Sequence, residues 1–566
     1  MKRLLFLLTG LPFFAFGQPS YGSDTLRGAF SILPELSDTY RFVVVADRAG
    51  GERRDVFRKG AEQLRACAPD FVVAVGDLID GYTTDRDYAL RMWAEFDALS
   101  ERFGAPFYSA PGNHDYSNRE LAALWNERFG RSYYAFRAGS SLFLVLNTEE
   151  ILGEGRTGIS DAQAAYFLRV LEQERSEGPM FVVMHTPLWF TGTDPNYNLL
   201  EEQFLKRDVT VFSGHTHRYY AASRQGRPHY NLATMGGDSP MRGVAMGEFD
   251  HFFVVDVCRG EVAIRNVSVD GTPLPLDAVN EQSRVPVEQL AGEEWLHVVP
   301  TVAAESPTNL LATDLVLTNP SELPLRVSFR APEIPHGCFE PAEFTREVRG
   351  NSCDTIPLRL FFDRPQSLDD LPPVEVACVG CYRIGDREVS APAGKRWLAD
   401  CIRRCGATPL RVRVDDPFYV REDWDWHSTD DGRFLFEVSL RGSRLLLRIE
   451  TSDDVLITDP DPEKLQDRLI VLFTPEGAPT RRIELTAGAT SDDDCRAVCR
   501  PTDSGLEAEL SLPAEGIRRF NLNIGFVDCD NILNTKPSQL WWRPLEMRAN
   551  EHADYGTFLV DSDATR

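Results

Sequence analysis

The sequence is poor in positive charge. Its 60 Lys and Arg residues are outnumbered by 86 Asp and Glu, leaving a formal net charge of -26 and a pI near 4.9. A surface of that sign repels nucleic acid and anionic lipid, which argues against binding either through bulk electrostatics. It does not oppose a small phosphate ester held at a metal. Long hydrophobic runs are also missing: beyond the first residues no segment approaches the roughly 20 apolar residues that span a bilayer. There is no internal repeat, which excludes solenoids and propellers. Cys378-Val379-Gly380-Cys381 has no second Cys-x-x-Cys to match it, which argues against a zinc ribbon.

What is present is a long, ordinary globular chain. Its 566 residues exceed one core and imply two to four domains, with 43% hydrophobic and 26% charged residues. Lys2 and Arg3 precede an apolar stretch from Leu4 to Phe16, and Ala15-Phe16-Gly17 places small residues where signal peptidase cuts. Residues 1–17 therefore read as a secretory signal peptide. The chain is expected to be exported to the periplasm, the cell surface or the medium, with no transmembrane segment left after cleavage. Nine of the 11 Cys lie beyond residue 330, and in an exported chain they are expected to form disulfides there.

Chemistry-bearing residues recur in one kind of place. Phe42 to Ala46 runs into Asp47, Phe71 to Val75 into Gly76-Asp77-Leu78-Ile79-Asp80, and Pro106 to Pro111 into Gly112-Asn113-His114-Asp115. Phe181 to Met184 runs into His185, and Val209 to Ser213 into Gly214-His215-Thr216-His217. Each apolar run reads as a buried strand. Val56, Phe57, Ala61, Leu64 and Cys67 recur at helical spacing between the first two, giving a β-α-β unit whose ligands collect at the strand C-termini. Ser160-Asp161-Ala162-Gln163 reads as a capping box opening a helix to about Glu174. A polar, Pro-containing stretch from Gly271 to Gln289 reads as a linker. Short alternating runs over 290–400 and 410–566 read as β-sandwiches.

Asp47, Asp77, Asn113, His185, His215 and His217 together form the hard and borderline donor set of a dinuclear metal centre. Through these motifs residues 40–270 resemble the calcineurin-like metallophosphoesterase family. The resemblance implies a four-layer α/β/β/α sandwich, here followed by two all-β sandwich domains. It implies one or two divalent or trivalent ions (Mn, Zn, Fe or Mg), with Asp77 bridging. Asn113, His185 and His215 would hold one ion, and Asp47 and His217 the other. A water between them would attack phosphorus in line. His114, steadied by Asp115, would protonate the leaving oxygen or bind a phosphate oxygen. The family's usual Asp-x-His is here Asp47-Arg48-Ala49, so one ligand is lost. Asp80 is a candidate compensating ligand or a plain capping carboxylate. Arg48 is a candidate phosphate clamp or a loop ion pair.

The reading is an exported metal-dependent phosphatase or phosphodiesterase acting on a small-molecule or glycan-linked phosphate ester. The alternative is a weakened enzyme serving as a glycan-binding or cell-surface binding protein. Residues 410–566 resemble a family 9-like carbohydrate-binding β-sandwich through Leu445–Ile449, Asp467-Arg468-Leu469, Glu507–Pro513, Asn523–Asp528 and Trp541-Trp542. Trp424, Trp426, Trp541 and Trp542 are candidates to stack on a polysaccharide, or core residues.

Overall fold

The computed structural model describes residues 31–560, apart from 33–35, 152–155, 176, 304–305, 369–370, 372–373, 423–425, 427, 460, 462–463, 490–494, 530–536 and 544–555. The signal-peptide reading of residues 1–17, and Trp424, lie outside the described residues. The chain divides between Val287 and Glu288 into two compact units.

The first unit runs β1 (Ser31–Ile32), β2 (Thr39–Val45), α1 (Val56–Ala66), β3 (Phe71–Ala74), α2 (Arg86–Ser100), β4 (Phe107–Ser109), α3 (Arg119–Phe129), β5 (Tyr134–Ala138), β6 (Ser141–Val145), α4 (Asp161–Gln173) and β7 (Met180–Val183). It continues with α5 (Leu188–Thr191), α6 (Pro195–Phe204), β8 (Val209–Ser213), β9 (Tyr220–Arg224), β10 (Arg227–Asn231), β11 (His251–Cys258), β12 (Glu261–Ser268) and β13 (Pro273–Leu274). Two sheets result, ordered β1-β5-β6-β7-β8-β10-β9 and β13-β12-β11-β2-β3-β4.

Strand alternation builds the layers. Successive side chains point to opposite faces. In β2 and β3, Val43, Val45, Val72 and Ala74 therefore pack under Phe57, Leu64, Trp93, Phe96 and Trp125 of α1, α2 and α3. Their neighbours Phe42, Val44, Phe71 and Val73 turn the other way and meet Phe143, Val145, Phe181, Val183 and Phe212 of the second sheet. That sheet presents Leu142, Leu144, Val182 and Val211 to Tyr166, Phe167, Val170, Leu200 and Phe204 of α4 and α6. The result is an α/β/β/α sandwich whose strands, buried on both faces, need the near-continuous Val and Phe runs seen in the sequence. Between the sheets Phe42 stacks on Phe71 at 5.3 Å and meets Phe143 edge-on at 5.1 Å and Phe181 edge-on at 4.9 Å.

Two local readings are refined. Ser160 caps α4, its hydroxyl accepting from the Gln163 amide at 3.2 Å, but the Gln163 side chain does not reach back. It donates instead to the Asn147 carbonyl at 2.9 Å, tying α4 to the loop after β6. The polar stretch after Gly271 stays with the first unit, because β13 pairs with β12 and Tyr219 donates to the Leu276 carbonyl at 2.7 Å.

Among its described residues the second unit contains sheets and almost no helix. Between 296 and 397 two four-stranded sheets form, one around Thr308–Asn319 and Ser352–Gln366, the other around Leu325–Arg330 and Val374–Ile384. Between 403 and 560 a five-stranded sheet and a larger one centred on Arg519–Asp528 enclose a separate core. Two expectations fail here. Of the nine Cys beyond residue 330, Cys338, Cys353, Cys378, Cys381 and Cys499 are free thiols, so the disulfide expectation fails for these five. Across their strand pairs they face Phe361, Thr318, Ala393, Ser390 and Ala508, so no pair brings two sulfurs together. Trp541 and Trp542 are buried, not exposed stacking platforms. Trp542 meets Phe436 edge-on at 4.8 Å within the core, with the Arg543 guanidinium 4.1 Å over its ring. Trp426 is half-buried and donates to the Gly432 carbonyl at 3.1 Å.

Candidate metal centre

Five loops meet at the C-terminal ends of β2, β3, β4, β7 and β8. Each strand is largely apolar where it lies between the layers, and the candidate ligands come just past its end. Asp47, Asp77, Asn113, His185 and His215 occupy those positions. Tight backbone geometry lets them converge. Asp77, His215 and His217 all have positive φ (55°, 73° and 52°). Gly76 and Gly112 lie so close that a Cβ on Gly76 would fall 2.7 Å from the Gly112 nitrogen and 2.9 Å from His185 Nδ1. Only glycine fits such an approach.

Two donor groups result, and they share one carboxylate. Asp77, His185 and His215 form the first, and Asp47, Asp77 and His217 the second, with ligand atoms in each within 4.8 Å of one another. Asn113 joins the first, its Oδ1 lying 2.8 Å from both His185 Nε2 and His215 Nδ1. These acceptor-type atoms crowd around a common point, which suits a cation and little else. Asp47 Oδ2 is buried with no hydrogen-bond partner, a second sign that the donor set fits a metal.

The imidazoles are held so that one nitrogen faces inward. His185 Nδ1 donates to the Val75 carbonyl at 3.1 Å and His217 Nδ1 to the Asp238 carbonyl at 2.5 Å, which leaves both Nε2 lone pairs for the centre. The Asp238 loop is itself tied down, since Met235 and Gly237 amides donate to the Asp47 carbonyl at 3.1 and 3.0 Å.

The charges are tightly interlocked. Burial works against ionised Asp77, but His185, 3.2 Å away, outweighs it and holds the carboxyl below its usual range. Burial likewise opposes a charged His185, yet Asp77, Asp47 and Glu149 raise it to about 10. The proton so held between Asp77 and His185 sits where a cation would compete for it. His215 moves the other way, to about 4, through burial and the neighbouring His185, and stays neutral.

Asp115 differs from its expected role, and Arg48 and Asp80 take the plainer of the two roles open to each. Asp115 does not steady His114. Its carboxylate accepts from the amides of Leu78, Ile79 and Gly112 at 2.9, 3.2 and 2.9 Å, binding the Asp77 loop to the Asn113 loop. His114 is steadied by the Asp80 carbonyl, which accepts from Nδ1 at 2.6 Å. Arg48 is buried and does not face a phosphate: it donates to the Leu78 carbonyl at 2.9 Å and pairs with Glu52 at 2.5 Å and Glu95 at 2.6 Å. The Asp80 carboxylate is exposed and accepts from the Gly50 amide at 3.3 Å, outside both donor groups. Ala49, in the place of a usual ligand, is fully buried, its amide donating to the Asp77 carbonyl at 3.0 Å.

Sequence reading also passed over three contributors. Tyr82, two residues past Asp80, accepts from Asn113 Nδ2 at 2.9 Å and meets His114 edge-on at 4.8 Å. Its place in an already suspect loop was a usable signal. A Cβ on Gly50 would lie 3.1 Å from His114 Nε2 and 3.2 Å from His217 Cε1, so this glycine keeps open the space between the two rings. Glu149, past the end of β6, carries no motif and could not have been found that way.

Comparison with known proteins agrees with this geometry. Residues 36–219 match the sequence model of the calcineurin-like phosphoesterase family. The serine/threonine-protein phosphatase CPPED1 of Mus musculus is 28% identical over 171 residues, 26% of this chain and 54% of that protein. The Rattus norvegicus protein is 30% identical over 131 residues, 20% of this chain and 42% of that one. The chain thus spans about half the length of the curated relatives it matches. Among solved structures, a dimetal phosphatase from Danio rerio aligns at 18% identity over 40% of this chain and 98% of its own, with a TM-score of 0.32. A family 9 carbohydrate-binding module from Caldicellulosiruptor kristjanssonii aligns at 9% identity over 28% of this chain and 93% of its own, with a TM-score of 0.22. The paired donor groups at the strand ends thus lie within residues 36–219, the stretch of the first unit that matches the calcineurin-like phosphoesterase family.

Proposed function

We propose that the protein is an exported, metal-dependent hydrolase of phosphate mono- or diesters. The observation that carries this reading is the pair of donor groups sharing Asp77, with a histidine outside both groups beside them. Bound there, the ions supply positive charge that polarises a phosphoryl group and acidifies water. The chain's own residues do the rest. With Nδ1 committed to the Asp80 carbonyl, His114 has Nε2 to hold or deliver the proton of the leaving oxygen. Gly50 keeps room for the phosphoryl oxygens between His114 and His217. Asp115, clamping three amides, fixes the spacing of the Asp77 and Asn113 loops on which positioning depends.

The two groups are unequal. The first offers Asp77, Asn113, His185 and His215; the second offers Asp47, Asp77 and His217, because Ala49 brings only a methyl. The first equivalent of metal is expected to bind more tightly than the second. Small-molecule phosphate esters outside the cytoplasm suit an acidic protein read as exported. A glycan-binding role gains nothing from Trp541 and Trp542, which are buried.

The test is hydrolysis of an aryl phosphomonoester and an aryl phosphodiester after reconstitution with Mn, Zn or Fe, with Asp77→Asn as control. Turnover abolished in the control is expected, and the ratio of the two rates names the ester class. No turnover in folded, metal-loaded protein would overturn the reading.

A further inference from the structure

Glu149 is a buried acid that the steps above leave unused. It follows β6, next to the His185-Thr186 end of β7, and is 1% exposed. Its Oε1 accepts from the Thr148 hydroxyl at 2.8 Å and the Thr186 hydroxyl at 2.7 Å. Its amide donates to Asn147 Oδ1 at 2.8 Å, which fixes the backbone as well. Oε2 is buried with no hydrogen-bond partner, and among the described residues no Lys or Arg pairs with the carboxylate. A buried carboxylate without an ion-pair partner is expensive, and burial raises this one above its usual range while the field of His185 and the two hydroxyls pull it back. The side chain is nonetheless built in by two hydroxyls, and its field acts on His185 and Asp77 of the first donor group and on Tyr82 beside Asn113.

We propose that Glu149 is a positioning and charge-balancing residue for the first donor group: its negative charge, held by Thr148 and Thr186 behind His185, is the counter-charge of the ion bound by Asp77, Asn113, His185 and His215. It does not touch the ion. It acts through the field and through Thr186, whose backbone follows His185. The inference rests on the metal-centre reading above and deepens it, assigning the tighter binding to a charge outside the ligand set as well as to the fourth ligand.

The unequal effects on apo and metal-bound protein separate this role from ordinary packing. Glu149→Gln keeps the shape and can still accept from both Thr hydroxyls through its amide oxygen, but removes the charge. In Mn2+ titrations the first equivalent is expected to weaken about ten- to a hundredfold, the range for lost outer partners of metal ligands, while the second equivalent holds. Metal-free Glu149→Gln protein should melt close to the wild-type temperature, because the burial that raises the Glu149 carboxyl offsets what its charge gains from His185, and Mn2+ should raise its melting temperature less than it raises that of wild type. Glu149→Asp, which retains the charge, should keep most of the affinity and decides the matter if the Gln variant does not fold. Unchanged first-equivalent affinity in Glu149→Gln, or equal weakening in Gln and Asp variants, would overturn the inference. Wild-type protein that takes up no Mn2+ would instead sink the metal-centre reading itself.

Discussion

Among the described residues two clusters of buried acids stand out, and they are built on different plans. In the first unit Asp47 and Asp77 are interleaved with His185, His215 and His217, and backbone carbonyls of Val75 and Asp238 take the outward N–H of two of those rings. Lone pairs are left converging. In the second unit Asp453, Asp467 and Asp528 also gather within 4.8 Å, all buried, with no histidine among them. There three of the oxygens are tied to backbone amides, while Asp453 Oδ2, like Asp47 Oδ2, is buried with no hydrogen-bond partner. Asp467 accepts from the amides of Ile457 at 2.7 Å and Cys529 at 2.8 Å, and Asp453 from that of Val455 at 2.8 Å. Acids alone do not announce a site. What distinguishes the first cluster is its imidazoles, whose outward nitrogens are tied to carbonyls so that the inward ones are left over.

Asp77→Asn should widen that contrast most. Losing the shared carboxylate should strip metal from both groups and cost about 4 kcal/mol or more of transition-state stabilisation, roughly a thousandfold in turnover. Asp453→Asn should leave metal content untouched. A metal equivalent lost in Asp453→Asn but kept in Asp77→Asn would break the comparison, and elemental analysis after dialysis reads both. His114→Ala should cost about a hundredfold or more in kcat with metal content unchanged, because a proton donor rather than a ligand is removed. Full metal retention with a flattened pH–rate profile is the expected signature. Loss of metal in His114→Ala would make it a ligand.

Much of this was legible before any coordinates. The apolar runs ending at Asp47, Asp77, Asn113, His185 and His215 carry their own layer assignment, since residues such as Val43 and Phe42 must face opposite ways in a strand. The six candidate ligands stand at those ends for the same reason. Side-chain direction within a loop was not legible. Asp115 and Arg48 have the right chemistry for the centre, yet one clamps amides and the other turns to Glu52 and Glu95, and only tertiary packing decides that. Aromatic side chains are ambiguous in the same way: Trp541 and Trp542 serve a core or a sugar platform equally well until the neighbouring strands are known. Glu149 is invisible for another reason. Its role depends on Thr186, 37 residues away.

Arg48 offers a smaller, sharper test. Arg48→Gln removes a buried guanidinium that joins the Leu78 carbonyl to Glu52 and Glu95. Glu95 is well exposed, so the expected loss is about 1–3 kcal/mol, read as a lower melting temperature. KM for a phosphate ester should stay close to wild type. A large rise in KM at unchanged stability would return Arg48 to the substrate.

The smallest effect expected is a pH dependence confined to the second cluster. Burial, with Asp453 beside it, raises Asp467 from 3.8 to about 8. A carboxyl whose folded value lies above its unfolded one binds its proton more tightly when folded, so the stability it contributes is complete below pH 4 and fades as pH climbs toward 8. The second unit should therefore unfold at lower denaturant concentration at pH 8 than at pH 5, and Asp467→Asn should flatten that slope. The first cluster obeys the opposite sign at Asp77, whose folded value lies below the unfolded one, so its contribution fades only as pH falls. Unfolding the first unit across pH 2–4 and the second across pH 4–8, with a probe in each, would show stability rising with pH in the first window through Asp77 and falling in the second through Asp467, if carboxylates facing histidines and carboxylates facing one another are as different as their surroundings make them. A second unit that instead gains stability toward pH 8 would mean that its three acids are ionised together and held by a cation, and the distinction between the two plans would fall.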